Sequence, residues 1–127
     1  MTTETTPVPE EVLSALRHHQ RVLIAAHVHP DPDAMGSCLA MAWTLRSIGV
    51  DALVFNEDGM PSFLNFLTLP GPVLTSLDSL PCDPDLVVCL DCGDRARLGE
   101  VIQPLLDRVP TVNIDHHLAN PLFGTEA

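Results

Sequence analysis

Apolar residues fall into short unbroken runs separated by stretches where they recur at helical spacing. Residues 21–26 (Arg-Val-Leu-Ile-Ala-Ala), 51–55, 85–90 and 111–114 are runs of the first kind, the pattern of strands buried on both faces. Residues 34–48 carry Leu39, Ala42, Trp43 and Leu45 at helical intervals, with Gly49 as the stop, and this predicts a helix with those side chains in the core. Residues 10–19 predict a shorter amphipathic helix with Val12, Leu13 and Leu16 on one face, following Pro9. Residues 101–109 also read as helical despite Pro104. Between 57 and 84, glycines and prolines break the pattern; 62–67 reads as one or two helical turns and Val73-Leu74 as a short strand.

Strand, helix, strand, helix, strand in that order predicts an α/β fold with a doubly wound, mainly parallel sheet. At 127 residues the chain makes one domain at most, spanning 10–127, with 1–9 read as a disordered tail. Apolar residues are 46% and aromatics 4%, so the core is aliphatic.

The net charge of −11 argues against a general nucleic-acid-binding surface, yet leaves room for a phosphorylated substrate if cations neutralise the acids. No apolar run approaches the roughly 20 residues of a membrane span, and residues 1–9 do not resemble a signal peptide. A cytoplasmic protein is therefore expected, with Cys38, Cys82, Cys89 and Cys92 as reduced thiols. Cys89 and Cys92 have redox-pair spacing, but residues three apart on a strand face opposite sides, which argues against a pair.

Candidate chemistry sits where the strands stop. His27-Val28-His29-Pro30-Asp31-Pro32-Asp33-Ala34-Met35-Gly36-Ser37 follows the first strand, Asp91 ends the run 85–90, and Asp115-His116-His117 follows the last strand. Ligands of open parallel sheets bind beyond the carboxyl ends of the strands. Three segments converging there would gather His27, Asp31, Asp33, Asp91, His116 and His117. So many carboxylates repel one another unless cations intervene. Carboxylate and imidazole donors without thiolates favour Mn²⁺, Fe²⁺, Co²⁺ or Mg²⁺ over structural zinc. Asp31 and Asp33 could each face one of two metals, with Asp91 bridging, an arrangement suited to attack on a phosphoryl group.

These motifs, together with Asp91-Cys92-Gly93-Asp94-x-x-Arg97-Leu98-Gly99 and the Asn120 and Phe123-Gly124 after the last histidine, resemble the DHH phosphoesterase superfamily. The likeness is greatest to its bifunctional oligoribonuclease and pAp-phosphatase group. It implies a Rossmann-like DHH catalytic domain and two Mn²⁺, with Mg²⁺ as the other candidate. On that likeness His27, Asp31 and Asp91 hold one metal; Asp33, Asp91 and His116 hold the other. His117 faces the substrate phosphate and Asp115 orients its neighbouring histidine. The implied partners are short RNA or DNA oligonucleotides or small phosphorylated nucleotides, hydrolysed by an enzyme for which a homodimer is compatible. Cyclic-dinucleotide phosphodiesterase and RecJ-like single-strand exonuclease are the alternative activities, and an inactive metal-binding fragment is the non-enzymatic one. Superfamily members continue to a further aspartate and a C-terminal substrate-binding domain, so a chain stopping at Ala127 is expected to be the incomplete N-terminal part.

Plainer roles exist for some of these residues. Asp31 and Asp33 are types that cap helices. Asp94 and Arg97 read as a local ion pair, and His29 as a loop-stabilising residue rather than a ligand. His18 and His19 on an exposed helix call for no function.

Overall fold

Every continuous apolar run becomes a strand of one parallel sheet. The computed structural model describes residues 10–62, 71, 73–78, 80 and 83–114. The elements run α1 (Glu10–His18), β1 (Arg21–Ala25), α2 (Pro32–Ser47), β2 (Asp51–Phe55), β3 (Val73–Leu74), β4 (Leu86–Leu90), a 3₁₀ turn (Arg95–Leu98), α3 (Gln103–Leu106) and β5 (Thr111–Ile114). The sheet order is β3-β2-β1-β4-β5 and every pairing is parallel. After β1 the chain steps outward through β2 and β3, then returns to the other side of β1 for β4 and β5. The direction of winding therefore reverses between β1 and β4. The middle strand is β1, with β4, which Asp91 follows, beside it.

Alternation along the strands sorts the core into two layers. Val22, Ile24, Val54, Val88, Leu90 and Val112 face α2, which buries Ala34, Met35, Cys38, Leu39, Ala42 and Leu45 against them. Leu23, Ala25, Phe55, Val87 and Cys89 face the other way and are covered by Leu98, Ile102, Leu105 and Val109. Both faces are thus covered, as the doubly wound reading requires. Leu16 of α1 packs at the margin of the first layer. No helix among the described residues is long and apolar enough to cross a membrane.

Several expectations need correction. Trp43 is not in the core: it is 47% exposed, because the buried stripe of α2 passes through Ala42 and Leu45 and leaves residue 43 outside. The helix foreseen over 101–109 contracts to the single turn of α3, flanked by turns that sink Ile102 and Val109 into the second layer. The 3₁₀ turn was not foreseen. Asp94 caps it by accepting from the Ala96 N–H at 3.0 Å, and Gly99 ends it. Asp94 and Arg97 form no ion pair among the described residues. Asp85 does not extend β4; its carboxylate accepts from the backbone N–H groups of Gln20 and Arg21, each at 3.0 Å, and ties β1 to β4 at their starts. The tail 1–9, the turns expected over 62–67 beyond Ser62, and the segment 115–127 lie outside the described residues.

Candidate metal centre

Three loops at the carboxyl edge of the sheet are fastened to one another, and the fastening presents His27. After β1, the His27 carbonyl accepts from the Asn56 side-chain amide at 2.9 Å, a buried bond to the residue that follows β2. The next residue, Val28, donates its N–H to the Arg97 carbonyl at 2.6 Å, in the 3₁₀ turn that follows β4. His29 then turns through a left-handed conformation (φ 54°), and its N–H meets an Asp58 carboxylate oxygen at 2.6 Å. The His29 ring is 91% exposed and 3.4 Å from the same oxygen, which fits a loop-holding role. Sequence reasoning missed Asn56, although a polar residue directly after an apolar strand was the same signal that drew notice to Asp91.

The His27 ring is held in one tautomer. Its Nδ1 lies 2.8 Å from the Val28 carbonyl, which can only accept, so Nδ1 carries the hydrogen and the lone pair of the neutral ring falls on Nε2. That Nε2 stands 3.6 Å from one Asp91 oxygen and 4.0 Å from one Asp31 oxygen. One donor atom from each of His27, Asp31 and Asp91 lies within 4.8 Å of the others. Asp31 serves two purposes. Oδ1 accepts the Ala34 N–H at 2.8 Å, capping α2, while Oδ2 is the oxygen nearest His27. The capping role and the ligand role are therefore compatible within one carboxylate.

Asp91 ends β4 in a left-handed conformation, φ 54°, which aspartate tolerates better than most residues. Its N–H donates to the Ile114 carbonyl at 3.1 Å, so β4 and β5 stop side by side. The turn also removes residue 92 from strand alternation: Cys89 and Cys92 end in the same core layer, contrary to the opposite-face argument, though no disulfide joins them and the Cys92 thiol donates to the Asp94 carbonyl at 3.0 Å. On the α2 side of the sheet, burial and the nearby Asp91 charge push the Cys38 thiol up to about 12.

The donors fit a divalent cation. An imidazole lone pair and two carboxylate oxygens converge on one point, two of the residues nearly buried (His27 6%, Asp91 7% exposed), with Asp31 open to solvent. They follow β1 and β4, the strands between which the winding reverses, where ligands of such sheets bind. Asp33 is not within this trio. It lines, with Asp91 and Ser37, a cavity of about 500 Å³ whose other walls are the apolar Met41, Leu90 and Ile114 and neighbouring residues of α2. Asp115, His116 and His117 lie outside the described residues.

The DHH family N-terminal domain matches residues 21–127. The chain belongs to the DHH family. It is 37% identical over 114 residues to the bifunctional oligoribonuclease and PAP phosphatase NrnA of Thermus thermophilus, covering 90% of this chain and 32% of that protein. In three dimensions it is similar to an exopolyphosphatase-related protein from Bacteroides fragilis, with a TM-score of 0.80 and 24% identity over 92% of this chain and 36% of the other. At that identity the likeness establishes the fold. The chain spans about a third of the length of each.

Proposed function

We propose that the whole protein is a metal-dependent phosphoesterase of the DHH type, hydrolysing short oligonucleotides and 3′-phosphoadenosine 5′-phosphate. The observation that carries this reading is the convergence of His27 Nε2, Asp31 and Asp91 at the point where the winding of the sheet reverses. Family membership and the printed activity of the Thermus thermophilus relative support the substrate class.

His27, Asp31 and Asp91 would hold one divalent cation; Asp91 would be shared with a second, held also by Asp33 and His116. Mn²⁺ is the proposed ion, and such a pair supplies Lewis-acid polarisation of a phosphoryl oxygen and activation of water. The chain's own groups do the positioning. Asn56 holds the His27 backbone carbonyl and the Val28 carbonyl orients the ring through Nδ1, so Nε2 faces the two carboxylates without reorganisation. The bond from Asp91 to the Ile114 carbonyl brings the end of β5 beside the trio. The Asp115-His116-His117 triplet follows directly, with His117 proposed to contact the substrate phosphate and Asp115 to orient the adjacent ring. We take the protein to be cytoplasmic.

The test is release of nucleoside monophosphate from a 5′-phosphorylated RNA dinucleotide by the whole protein, with and without Mn²⁺. Asp91→Asn should abolish metal-dependent turnover while leaving the thermal midpoint near wild type. Full turnover by that variant, or none by wild type in any divalent metal, contradicts the reading.

A further inference from the structure

The carboxyl edge of the sheet is crowded with acids, among them Asp31, Asp33, Asp58, Asp91 and Asp94, yet the proposed substrates are anions carrying more than one phosphate. Cations held by the acids can serve the phosphate being cleaved. A second phosphate needs its own positive partner. All six lysine and arginine positions of this chain are arginines, and within the chain their placement leaves one candidate. Arg17 lies on α1 and Arg21 opens β1, both on the amino side of that strand. Arg46, in the last turn of α2, donates to the Ala52 carbonyl at 2.9 Å. Arg108 precedes β5 and forms a two-pronged pair with Asp83, at 2.7 and 3.0 Å. Arg95 is engaged by Gln103 and Asp107. Arg97 alone stands on the carboxyl side with an exposed side chain that has no hydrogen bond or ion pair among the described residues.

Its backbone is also anchored. The Arg97 carbonyl takes the N–H of Val28, the residue after His27. Leu98 is buried, and Gly99 packs directly against Glu57 and Val28. A rigid base with a free guanidinium, one hydrogen bond and one peptide unit from a proposed metal ligand, suits two-pronged recognition of a phosphate.

We propose that Arg97 is a substrate-binding residue that receives a second phosphate of the substrate, beside the one being cleaved. This rests on the phosphoesterase reading above. Both proposed substrate classes carry such a group.

The test compares the whole protein with its Arg97→Ala and Arg97→Lys variants on an adenosine 3′,5′-bisphosphate and on the two corresponding monophosphates, in Mn²⁺. Arg97→Ala should lower the preference for bisphosphate over monophosphate, as a ratio of kcat/KM, about tenfold or more, mainly through KM. Arg97→Lys, which keeps the charge and loses the fork, should fall between. The thermal midpoint and Mn²⁺ affinity by calorimetry should not move. An unchanged preference in both variants overturns the role given to Arg97, whatever happens to overall turnover. A wild type inactive on every compound overturns the phosphoesterase reading itself, so the two failures are distinguishable.

Discussion

Replacing Gly99 with alanine should destabilise the protein by about 2–4 kcal/mol, from two separable sources. Gly99 sits at φ 91° and ψ 174°, a region open almost only to glycine, and a side chain forced to remain there costs on the order of 1–3 kcal/mol. The second source is contact. A Cβ at this position would collide with the Glu57 carboxylate and lie 2.9 Å from Val28 Cγ1. Glu57 can swing its carboxylate away, giving up its 3.4 Å contact with the Val101 N–H. Val28 is less free, because its N–H is held by Arg97 and its carbonyl fixes the His27 ring. For a chain of this size the loss corresponds to a fall in Tm of roughly 6–14 °C. Thermal unfolding followed by circular dichroism measures it, and Glu57→Ala in the same background separates the two sources. The double variant should recover the contact part only and remain well below Glu57→Ala alone. A Gly99→Ala protein melting within 2 °C of wild type would refute the reasoning.

The dual use of Asp31 predicts a split: Asp31→Ser keeps a capping oxygen and should melt near wild type while Mn²⁺ affinity falls at least tenfold. Asp31→Ala should add a loss of about 1 kcal/mol from the missing cap, read by denaturant titration. Asn56→Leu leaves the buried His27 carbonyl without its donor, so it should cost about 1–3 kcal/mol and weaken Mn²⁺ binding by calorimetry; full retention of both would remove Asn56 from the support of the site. Burial raises the Cys38 and Cys89 thiols above their ordinary value of 9.0, Cys38 to about 12. Because the folded values lie above the unfolded ones, this contribution to stability is whole below pH 9 and lost as pH rises toward 12, at up to ~1.4 kcal/mol per pH unit per thiol. Cys38→Ala should flatten that alkaline decline, and an equally steep decline in the variant would contradict it.

The strands were legible because a buried parallel strand needs an unbroken apolar run, and even the two-residue β3 announced itself as Val73-Leu74 between turn residues. The direction of side chains was less legible. Cys89 and Cys92 share a layer because Asp91 leaves the strand in a left-handed turn, a backbone choice that residue spacing does not encode. Trp43 looked like core because it is large and apolar, but its angular position on α2 is outside the buried stripe. The 3₁₀ turn was visible only in hindsight, as a capping aspartate five residues before a glycine. At the site, His27, Asp31 and Asp91 could be picked out by their residue types at strand ends. Asn56 carried the same strand-end signal and was passed over; the Val28 and Arg97 carbonyls that complete the support could not be picked out, since backbone carbonyls carry no signature in sequence.

The central claim is that His27, Asp31 and Asp91 form one cation site. A crystal of the whole protein grown with Mn²⁺, measured at the manganese absorption edge, tests it directly. An anomalous peak within coordination distance of His27 Nε2, Asp31 and Asp91 together is the expected result; a map without that peak, or with manganese bound elsewhere and the trio bare, would rule the site out.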